Sequence, residues 1–254
     1  MGEQAGQAFG IDIGGSGIKG AIVDTNTGQL VTPRRRIPTP RPSTPAAVAA
    51  VVAQMLAEAN WQGVVGATFP AVIKHGVALS AANVDKTWIG TDVDATFTAA
   101  AGGDNEVIVL NDADAAGIAE ARFGAAQGVA GVVILLTFGT GIGSALLVDG
   151  YLVPNTELGH LELHGHDAES RAAASVRDEQ KMSYRKWSER VNDYMSHVEH
   201  LFTPDLFVVG GGVSKDAAKW VPLLRLNTPV KPAELLNNAG IVGAAMAATE
   251  RRGE

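Results

Sequence analysis

The chain has 254 residues, of which 46% are hydrophobic and 19% charged, a composition typical of a globular protein with a substantial core. Its 20 basic and 27 acidic residues give a formal charge of −7, which argues against general nucleic-acid binding. It contains no cysteine, no recognisable secretory signal and no apolar run of the roughly 20 residues that a membrane span needs. We therefore expect a cytoplasmic protein with no nucleic-acid partner and no membrane partner.

The first predicted element is a hairpin around a glycine-rich turn. An apolar strand over 9–13 runs into the turn Gly14–Gly17, and a second strand over 18–23 leaves it. The glycines match G-x-G-x-x-G, but a dinucleotide site needs a helix at this point, so we exclude a nicotinamide cofactor. Backbone amides of such a turn can instead bind a phosphate, with Mg²⁺ held between that phosphate and Asp12, directly or through water. The alternative is an ordinary tight hairpin with a solvated Asp12.

A proline-rich segment and a helix follow. Five prolines between Thr32 and Pro45 preclude a helix there and allow at most an edge strand around 34–37. Thr44 followed by Pro45 predicts the start of a helix over 46–60. After a buried strand over 64–69, a polar loop over 71–94 is the kind of segment in which ligand groups often lie.

A pair of polar residues, Asn111 and Asp112, stands where a predicted strand over 107–110 meets a predicted helix over 113–123. In open α/β sheets ligands bind at this edge, which favours a functional role for Asp112. The alternative role is a helix N-cap, which is common and contributes about 1 kcal/mol.

A second glycine hairpin lies half a chain further on. Residues 133–153 repeat the order strand, glycine turn, strand, and a shift of 125 positions lays Gly14 on Gly139 and Asp12 on Thr137. Two such hairpins predict a duplicated architecture that holds an anion between two lobes, although two unrelated structural hairpins are the alternative. We expect the lobes to cover 1–112 and 113–254, with a closing helix near 240–250 packed back on the first.

The stretch 154–169 is rich in Glu and His. His160, His164 and His166 suggest a metal site, but the thiolates that usually complete a zinc site are absent. We interpret Glu157 and His160 instead as hydrogen-bond partners of a polyhydroxylated ligand.

The last third of the chain adds two predictions. A long helix over 178–202 carries an apolar stripe that indicates core or subunit contact. Further on, a strand runs into Gly210, Gly211 and Gly212 and then into a helix, which predicts another phosphate contact.

Five motifs occur in a familiar order: D-I-G-G-S-G at 12–17, N-D-A-D at 111–114, F-G-T-G-I-G at 138–143, E-L-G-H at 157–160 and V-G-G-G at 209–212. They span nearly the whole chain, which resembles the ROK family (repressors, open reading frames, sugar kinases). The short length, the Pro/Arg-rich segment and the acidic-His stretch look most like the family's bacterial polyphosphate glucokinases, including polyphosphate- and ATP-dependent glucomannokinases. Most members follow E-x-G-H with a Cys-rich zinc motif. This chain has no cysteine, so we expect no structural zinc.

The resemblance implies an α/β protein with the actin-like ATPase (ribonuclease H-like) fold, two lobes around a central cleft. It implies phosphorylation of the 6-hydroxyl of glucose, and possible use of mannose, with polyphosphate, ATP or both as donor and Mg²⁺ as cofactor. Asp112 would be the general base. The implied sugar contacts are Asn83, Asn111, Asp112, Glu157, His160 and Glu169. The expected phosphate contacts are Asp12, Gly14, Gly15, Ser16, Gly17, Lys19, Thr137, Gly139, Thr140, Gly141, Gly210, Gly211 and Gly212.

Several alternatives stay open. A strictly ATP-dependent ROK hexokinase shares every motif. A repressor of the family would need a helix-turn-helix domain ahead of the first hairpin, and eight residues precede Phe9 in this sequence. A non-catalytic sugar-binding regulator and an actin-like nucleotide switch are rivals of another class. We expect a homodimer. A polyphosphate donor needs cations along the path of its chain. The candidates are Arg34, Arg35, Arg36, Arg41, Lys74, Lys86 and the helix around 181–190. For each of them taken singly, the alternative is an ordinary solvated surface residue.

Overall fold

The fold was determined from a computed structural model that describes residues 6–81 and 84–252. Asn83, an expected sugar contact, lies outside the described residues. The chain divides into two compact units: the first takes the chain up to Ala119 and from Asn237 onward, and the second takes Glu120–Leu236. The first unit therefore extends past the boundary expected after residue 112, and it includes the closing helix.

Strands and helices are interspersed along the part of the chain that the structure describes. The strands are β1 Gln7–Ile13, β2 Ile18–Asp24, β3 Arg35–Ile37, β4 Val64–Phe69, β5 Ile73–Lys74, β6 Val77–Ala78, β7 Glu106–Asn111, β8 Val132–Phe138, β9 Ile142–Val148, β10 Tyr151–Val153, β11 Glu162–Leu163, β12 His166–Asp167, β13 Leu206–Gly210 and β14 Val230–Pro232. The α-helices are α1 Pro45–Glu58, α2 Val93–Ala101, α3 Asp112–Phe123, α4 Glu169–Ala172, α5 Ala174–Glu179, α6 Tyr184–Phe202, α7 Ala217–Trp220 and α8 Ala239–Arg252. Short 3-10 helices cover Lys86–Trp88, Leu158–His160, Gly212–Asp216, Val221–Leu223 and Leu236–Asn238.

The sheet of the first unit has the strand order β3-β2-β1-β4-β7. β1, β2 and β3 pair antiparallel, while β4 lies parallel to both β1 and β7. The predicted hairpin, edge strand and buried strands are confirmed. So is the start of α1, where the Thr44 side chain accepts a hydrogen bond from Ala47 N at 3.4 Å.

Helix α8 packs directly on β1 and β4. The approach is so close that a Cβ at Gly10 would lie 2.0 Å from the Ile241 carbonyl oxygen, and one at Gly66 would lie 1.8 Å from that of Ala244. Glycine at these two positions therefore lets the helix backbone rest on the sheet. On the other face of the sheet, Phe69 contacts Trp88 with ring centroids 4.4 Å apart and the rings tilted by 49°, inside an apolar core.

The sheet of the second unit repeats this plan in the order β10-β9-β8-β13-β14. Again the first three strands pair antiparallel and β13 lies parallel to its neighbours on both sides. The second core is built on Phe138, Trp187 and Trp220, whose rings meet edge to face at 5.0 to 5.7 Å. The predicted duplication of the hairpin architecture is confirmed at the level of strand order.

The prediction of one helix over 178–202 was wrong at its N-terminal end. The structure has a short α5 ending at Glu179 and a separate α6 that begins at Tyr184. Lys181 adopts a positive φ of 49°, which breaks the helical path, and the Ser183 side chain caps α6 by accepting from Lys186 N. The apolar stripe of α6 faces the core as predicted. Among the described residues, no helix is both long and apolar enough to cross a membrane.

Candidate active site

In the first unit the glycine turn is held from two sides. Gly14 N donates to Gly17 O at 3.2 Å and closes the turn. The Pro/Arg-rich segment packs on it, because Arg36 Nη2 donates to Ser16 O at 2.9 Å and Thr39 Oγ1 donates to Gly14 O. A Cβ at Gly15 would meet nothing within 4 Å, so the tip of the turn is open to a ligand.

Asp12 ends β1 directly before this turn. Its carboxylate accepts from Lys19 Nζ at 2.9 Å and from Thr68 Oγ1 at 3.2 Å, and both partners are register neighbours on adjacent strands. A single carboxylate beside an open glycine turn fits Mg²⁺, which keeps several waters and takes one or two carboxylates together with substrate phosphates. The donor set therefore suits a magnesium–phosphate complex better than a metal held by protein alone.

Asn111 and Asp112 divide the two roles that the sequence left open for Asp112. Asn111 Oδ1 accepts from Ala113 N at 2.8 Å and from Asp114 N at 3.2 Å, so Asn111 caps α3. Its amide nitrogen donates to Ala71 O at 3.2 Å. Asp112 accepts from the Ala113 N–H at 2.9 Å, and its side chain is exposed at the C-terminal end of β7. Asn111 thus caps the N-terminus of α3. The expected sugar contacts of Asn111 and Asp112 stay predictions.

In the second unit the glycine turn is braced by a carboxylate. Gly139 N donates to Gly141 O at 2.9 Å, and Glu169 Oε2 accepts from Ile142 N at 2.9 Å directly after the turn. A Cβ at Gly141 would lie 2.3 Å from that same Glu169 oxygen, whereas one at Gly139 would meet nothing within 4 Å. Ser175 ties the turn to α5 by donating from its N to Gly139 O at 3.0 Å and from its Oγ to Thr140 O at 2.7 Å.

Glu157, His160 and Glu169 lie together in the second unit, as the interpretation of the acidic-His stretch requires. His160 Nε2 is 4.0 Å from Glu157 Oε2, and His160 Nδ1 is 4.0 Å from Glu169 Oε1. Burial raises the pKa of the Glu157 carboxyl. A hydrogen bond to Asp167, at 2.9 Å from Nδ1, raises the pKa of His160. Asp167 therefore fixes the imidazole, a role for which the sequence offered no residue.

The three histidines of this stretch do not converge. His164 pairs with Asp193 at 3.2 Å. Among the described residues, the group whose possible ligand atoms lie within 4.8 Å of one another is His160, Asp167 and Glu169. One imidazole and two carboxylates could ligate a metal, yet the 2.9 Å contact between His160 and Asp167 is already a complete hydrogen bond. The geometry explains the orientation of His160 through Asp167 alone.

The three consecutive glycines Gly210, Gly211 and Gly212 lie in different environments. Gly211 has a φ of +81°, and a Cβ there would lie 2.2 Å from Phe138 O, so its glycine is required by close packing on β8. Gly212 begins a 3-10 helix rather than an α-helix and has open space around it. Gly210 pairs with Thr137 in the parallel register of β13 and β8.

A cavity of about 430 Å³ lies in the second unit, beside the second glycine turn and Gly212. Its lining includes Gly139 and Thr140 of the turn, Gly212, and the side chains of Arg177 and Tyr184. Arg177 lies over the Tyr184 ring, 4.1 Å from its centroid, and the Tyr184 hydroxyl donates to Asp216 at 2.8 Å. A volume of this size is in the range of small-molecule sites, and its wall combines polar and aromatic residues.

The sequence model of the ROK family matches residues 8–174. The chain belongs to the ROK family. It is 55% identical over 239 residues to the polyphosphate glucokinase of Mycobacterium tuberculosis (strain CDC 1551 / Oshkosh), an alignment that covers 94% of this chain and 90% of the relative. All five motifs from which the family was predicted therefore lie in a ROK-family chain.

Solved structures of the family share this fold. The inorganic polyphosphate/ATP-glucomannokinase from Arthrobacter sp. strain KM superposes with a TM-score of 0.90 at 54% identity, covering 96% of this chain and 99% of that one. A ROK family glucokinase from Streptomyces griseus, at 23% identity, superposes with a TM-score of 0.82 over 96% of this chain and 100% of that one, a likeness of fold alone. The predicted actin-like ATPase fold is confirmed.

Sequence reasoning missed several residues of these arrangements. Thr68 was within reach, because it stands at the end of a predicted strand beside Asp12. Asp167 carried no signal, since nothing in its spacing from His160 distinguishes it from the neighbouring acidic residues. The same holds for Arg177 and Tyr184, which belong to no motif and meet through the break between α5 and α6.

Proposed function

We propose that this ROK-family chain is a glucokinase that transfers a phosphoryl group from inorganic polyphosphate or ATP to the 6-hydroxyl of glucose. The observation that carries the proposal is the similarity, over nearly the whole chain, to the Mycobacterium polyphosphate glucokinase and the Arthrobacter polyphosphate/ATP-glucomannokinase. The latter name also supports mannose as a second acceptor.

Asp112 is the proposed general base. A sugar hydroxyl is a weak nucleophile at neutral pH, and a carboxylate within hydrogen-bond reach accelerates its attack roughly 10²- to 10⁴-fold. Asp112 suits this role because Asn111 caps α3 in its place and its side chain is exposed at the end of β7. Proton transfer to Asp112 would leave the sugar oxygen free to attack the phosphorus atom.

Glu157 and His160 are the proposed sugar ligands of the second unit, with Glu169 beside them. Carboxylate and imidazole groups give directional hydrogen bonds to vicinal hydroxyls. Asp167 orients His160, and Glu169 also holds the strand after the second glycine turn. The sugar contacts and the second turn are therefore mechanically linked through one carboxylate.

Phosphate binding is assigned to the glycine turns. Phosphoryl transfer depends on positioning and on stabilising the charge of the transferring group, and open backbone amides supply both. Asp12 would hold Mg²⁺, which when bound neutralises part of the phosphate charge. Thr68 and Lys19 fix the Asp12 carboxylate at the end of β1.

ATP is supported as a second donor by the cavity of about 430 Å³ beside Gly139, Thr140 and Gly212. A polyphosphate chain has no need of a pocket with an aromatic wall, whereas a nucleoside can occupy one. We therefore propose that both donors are accepted, and that the cavity takes the nucleoside of ATP.

The test is a matrix of glucose and mannose against polyphosphate and ATP, with formation of the 6-phosphate as readout. We expect turnover with glucose for both donors. A chain that binds glucose but transfers phosphate from neither donor would contradict the proposal and favour a sugar-binding regulator. Turnover with ATP alone would reduce it to a ROK hexokinase.

We further propose that Mg²⁺ is required and that the chain forms a homodimer. Chelation followed by titration with Mg²⁺ tests the first, and sedimentation velocity tests the second. The cytoplasmic location stays a prediction.

A further inference from the structure

Three consecutive arginines of the Pro/Arg-rich segment lie in three different environments. Arg35 Nε forms an ion pair with Glu58 at 2.9 Å. Arg34 Nη1 donates to the Asn237 carbonyl at 3.0 Å, and Arg36 Nη2 donates to the Ser16 carbonyl at 2.9 Å. The charge of Arg35 is thus balanced by a carboxylate, whereas the contacts of Arg36 that the structure describes are to a neutral oxygen of the glycine turn.

Strand register explains why neighbouring arginines differ. Ile37 pairs with Ile18 and packs against the core of the first unit, which fixes the face that each residue of β3 presents. Because side chains alternate along a strand, Arg36 lies on the opposite face. There it pairs with Lys19, which in turn pairs with Asp12, so the three charged residues form one row across β3, β2 and β1.

The guanidinium of Arg36 occupies space that a glycine leaves. A Cβ at Gly17 would lie 2.7 Å from Arg36 Nε, so any side chain at Gly17 would displace the arginine. Thr39, three residues further on, donates to Gly14 O and holds the segment on the same turn. Arg36 is therefore seated on the turn rather than extended into solvent beside it.

We propose that Arg36 is a donor-specificity residue that binds a non-reacting phosphate of a polyphosphate chain. A guanidinium carries five N–H donors in a fork that matches phosphate, so Arg36 can hold Ser16 and a phosphate together. The row places its backbone two strand spacings, about 9.5 Å, from that of Asp12, which suits a phosphate further along the chain than the one next to the transferred group. This inference rests on the proposed function, since it assigns a substrate contact to that site.

Polyphosphate gains more from this contact than ATP does. Every phosphate of a polyphosphate chain is charged, so the part of the chain that passes Arg36 at the first glycine turn is an anion. ATP has three phosphates and then an uncharged nucleoside, which has no comparable attraction for a guanidinium. The expected signature is therefore a change in donor preference, not a uniform loss.

The experiment compares Arg36→Gln with Arg35→Gln, which removes a neighbouring arginine already paired with Glu58. We expect Arg36→Gln to raise KM for polyphosphate roughly tenfold, as for loss of one charge-assisted hydrogen bond, with a smaller rise for ATP. Arg36→Lys, which keeps the charge but lacks the fork that holds Ser16 and a phosphate together, should recover part of the affinity. Arg35→Gln should behave as the wild type with both donors.

Two results would overturn the inference. If Arg36→Gln and Arg35→Gln have the same KM for polyphosphate, the row has no part in donor binding. If Arg36→Gln raises KM equally for both donors, the residue maintains the shape of the turn instead.

Direct binding separates this inference from the proposed function. The Kd of a fluorescently labelled polyphosphate chain of fixed length is measured for the wild type and both glutamine variants at low salt. Weaker binding by Arg36→Gln alone supports the inference even if no glucose is phosphorylated, and identical Kd values for all three contradict it even if the wild type is fully active. For the wild type we expect the Kd to rise with salt concentration, because salt screens charge interactions beyond a Debye length of about 10 Å at 0.1 M.

Discussion

The two sheets have the same strand order, but the strands that lead into their glycine turns carry different chemistry. In the first unit the last polar position of β1 is Asp12, set in a row with Lys19 and Arg36. In the second unit the equivalent position is Thr137, which pairs with Gly143 and Gly210 and carries no charge. The two sheets thus share a topology, while the equivalent strand position carries a charged residue in the first unit and an uncharged one in the second.

The two glycine turns are also held by side chains of opposite charge. A guanidinium holds the first turn through the Ser16 carbonyl, while a carboxylate holds the second through the Ile142 amide. The first turn therefore has a cation beside it, whereas the second is coupled by Glu169 to the group around His160. We infer a division of labour: proton and phosphate chemistry in the first unit, sugar orientation and donor accommodation in the second.

The largest expected effect would test the catalytic half of this division. Asp112→Asn should lower kcat roughly 10²- to 10⁴-fold, because an amide cannot accept the proton of the sugar hydroxyl. Glucose affinity, measured by calorimetry, should be retained. Asp92→Asn is the matched control, since Asp92 caps α2 by accepting from Ala95 N, and its kcat should be that of the wild type. Full activity of Asp112→Asn would remove the base from the first unit.

A steric comparison tests how tightly the second turn is tied to Glu169. Gly141→Ala would place a methyl group 2.3 Å from Glu169 Oε2, whereas Gly139→Ala meets nothing within 4 Å. We expect Gly141→Ala to lower the free energy of unfolding by about 1–3 kcal/mol through overpacking. Gly139→Ala should stay within about 0.5 kcal/mol of the wild type. Urea denaturation of both variants decides, and equal stabilities would show that Glu169 does not brace the turn.

Glu157→Gln should separate sugar binding from stability in the second unit. Burial raises the pKa of Glu157 in the folded protein, so its contribution to stability is present below the unfolded-state pKa and is lost as the pH rises through the folded-state value. The glutamine variant should therefore be more stable than the wild type at pH 7, and not at pH 4. Its KM for glucose should rise roughly tenfold, equivalent to about 1.4 kcal/mol. A variant less stable at pH 7 would contradict the conclusion that partial burial of the Glu157 carboxylate destabilises the folded protein.

The smallest effect concerns the pair that orients His160. The hydrogen bond to Asp167 raises the pKa of His160, so the stability it contributes is complete below about pH 6.5, the unfolded-state pKa, and is lost as the pH rises through the folded-state pKa. Asp167→Asn should therefore cost about 0.2–1 kcal/mol at pH 6, the range for exposed ion pairs, and less at pH 9. In a His160→Gln background the same substitution should show no such pH dependence. A cost that grows towards pH 9 would reverse the assignment.

Local signals were enough for the two hairpins, for the buried strands β4, β7 and β13 and for the starts of α1 and α3. They were not enough for α2, nor for the short strands β5 and β6, which lie in the stretch predicted as a loop. The hairpins were predicted because short apolar runs on either side of glycines have no other regular structure available, and α1 because Thr44 and Pro45 satisfy its first turn. The start of α6 failed for the opposite reason. Its apolar spacing continues into residues 180–183, and Lys181 leaves the helical conformation at a position that no Gly or Pro marks.

By itself, the sequence determined the family, the two glycine hairpins and the position of Asp112 at a strand end, because these depend on contiguous residues and their order. Tertiary structure decided which side chains share work: Asn111 caps α3 in place of Asp112, Asp167 orients His160, and Arg36 rather than Arg35 reaches the first turn. Such pairings depend on the register between strands and on loop paths. A shift of one residue along a strand exchanges the two faces, so composition and spacing leave them undetermined.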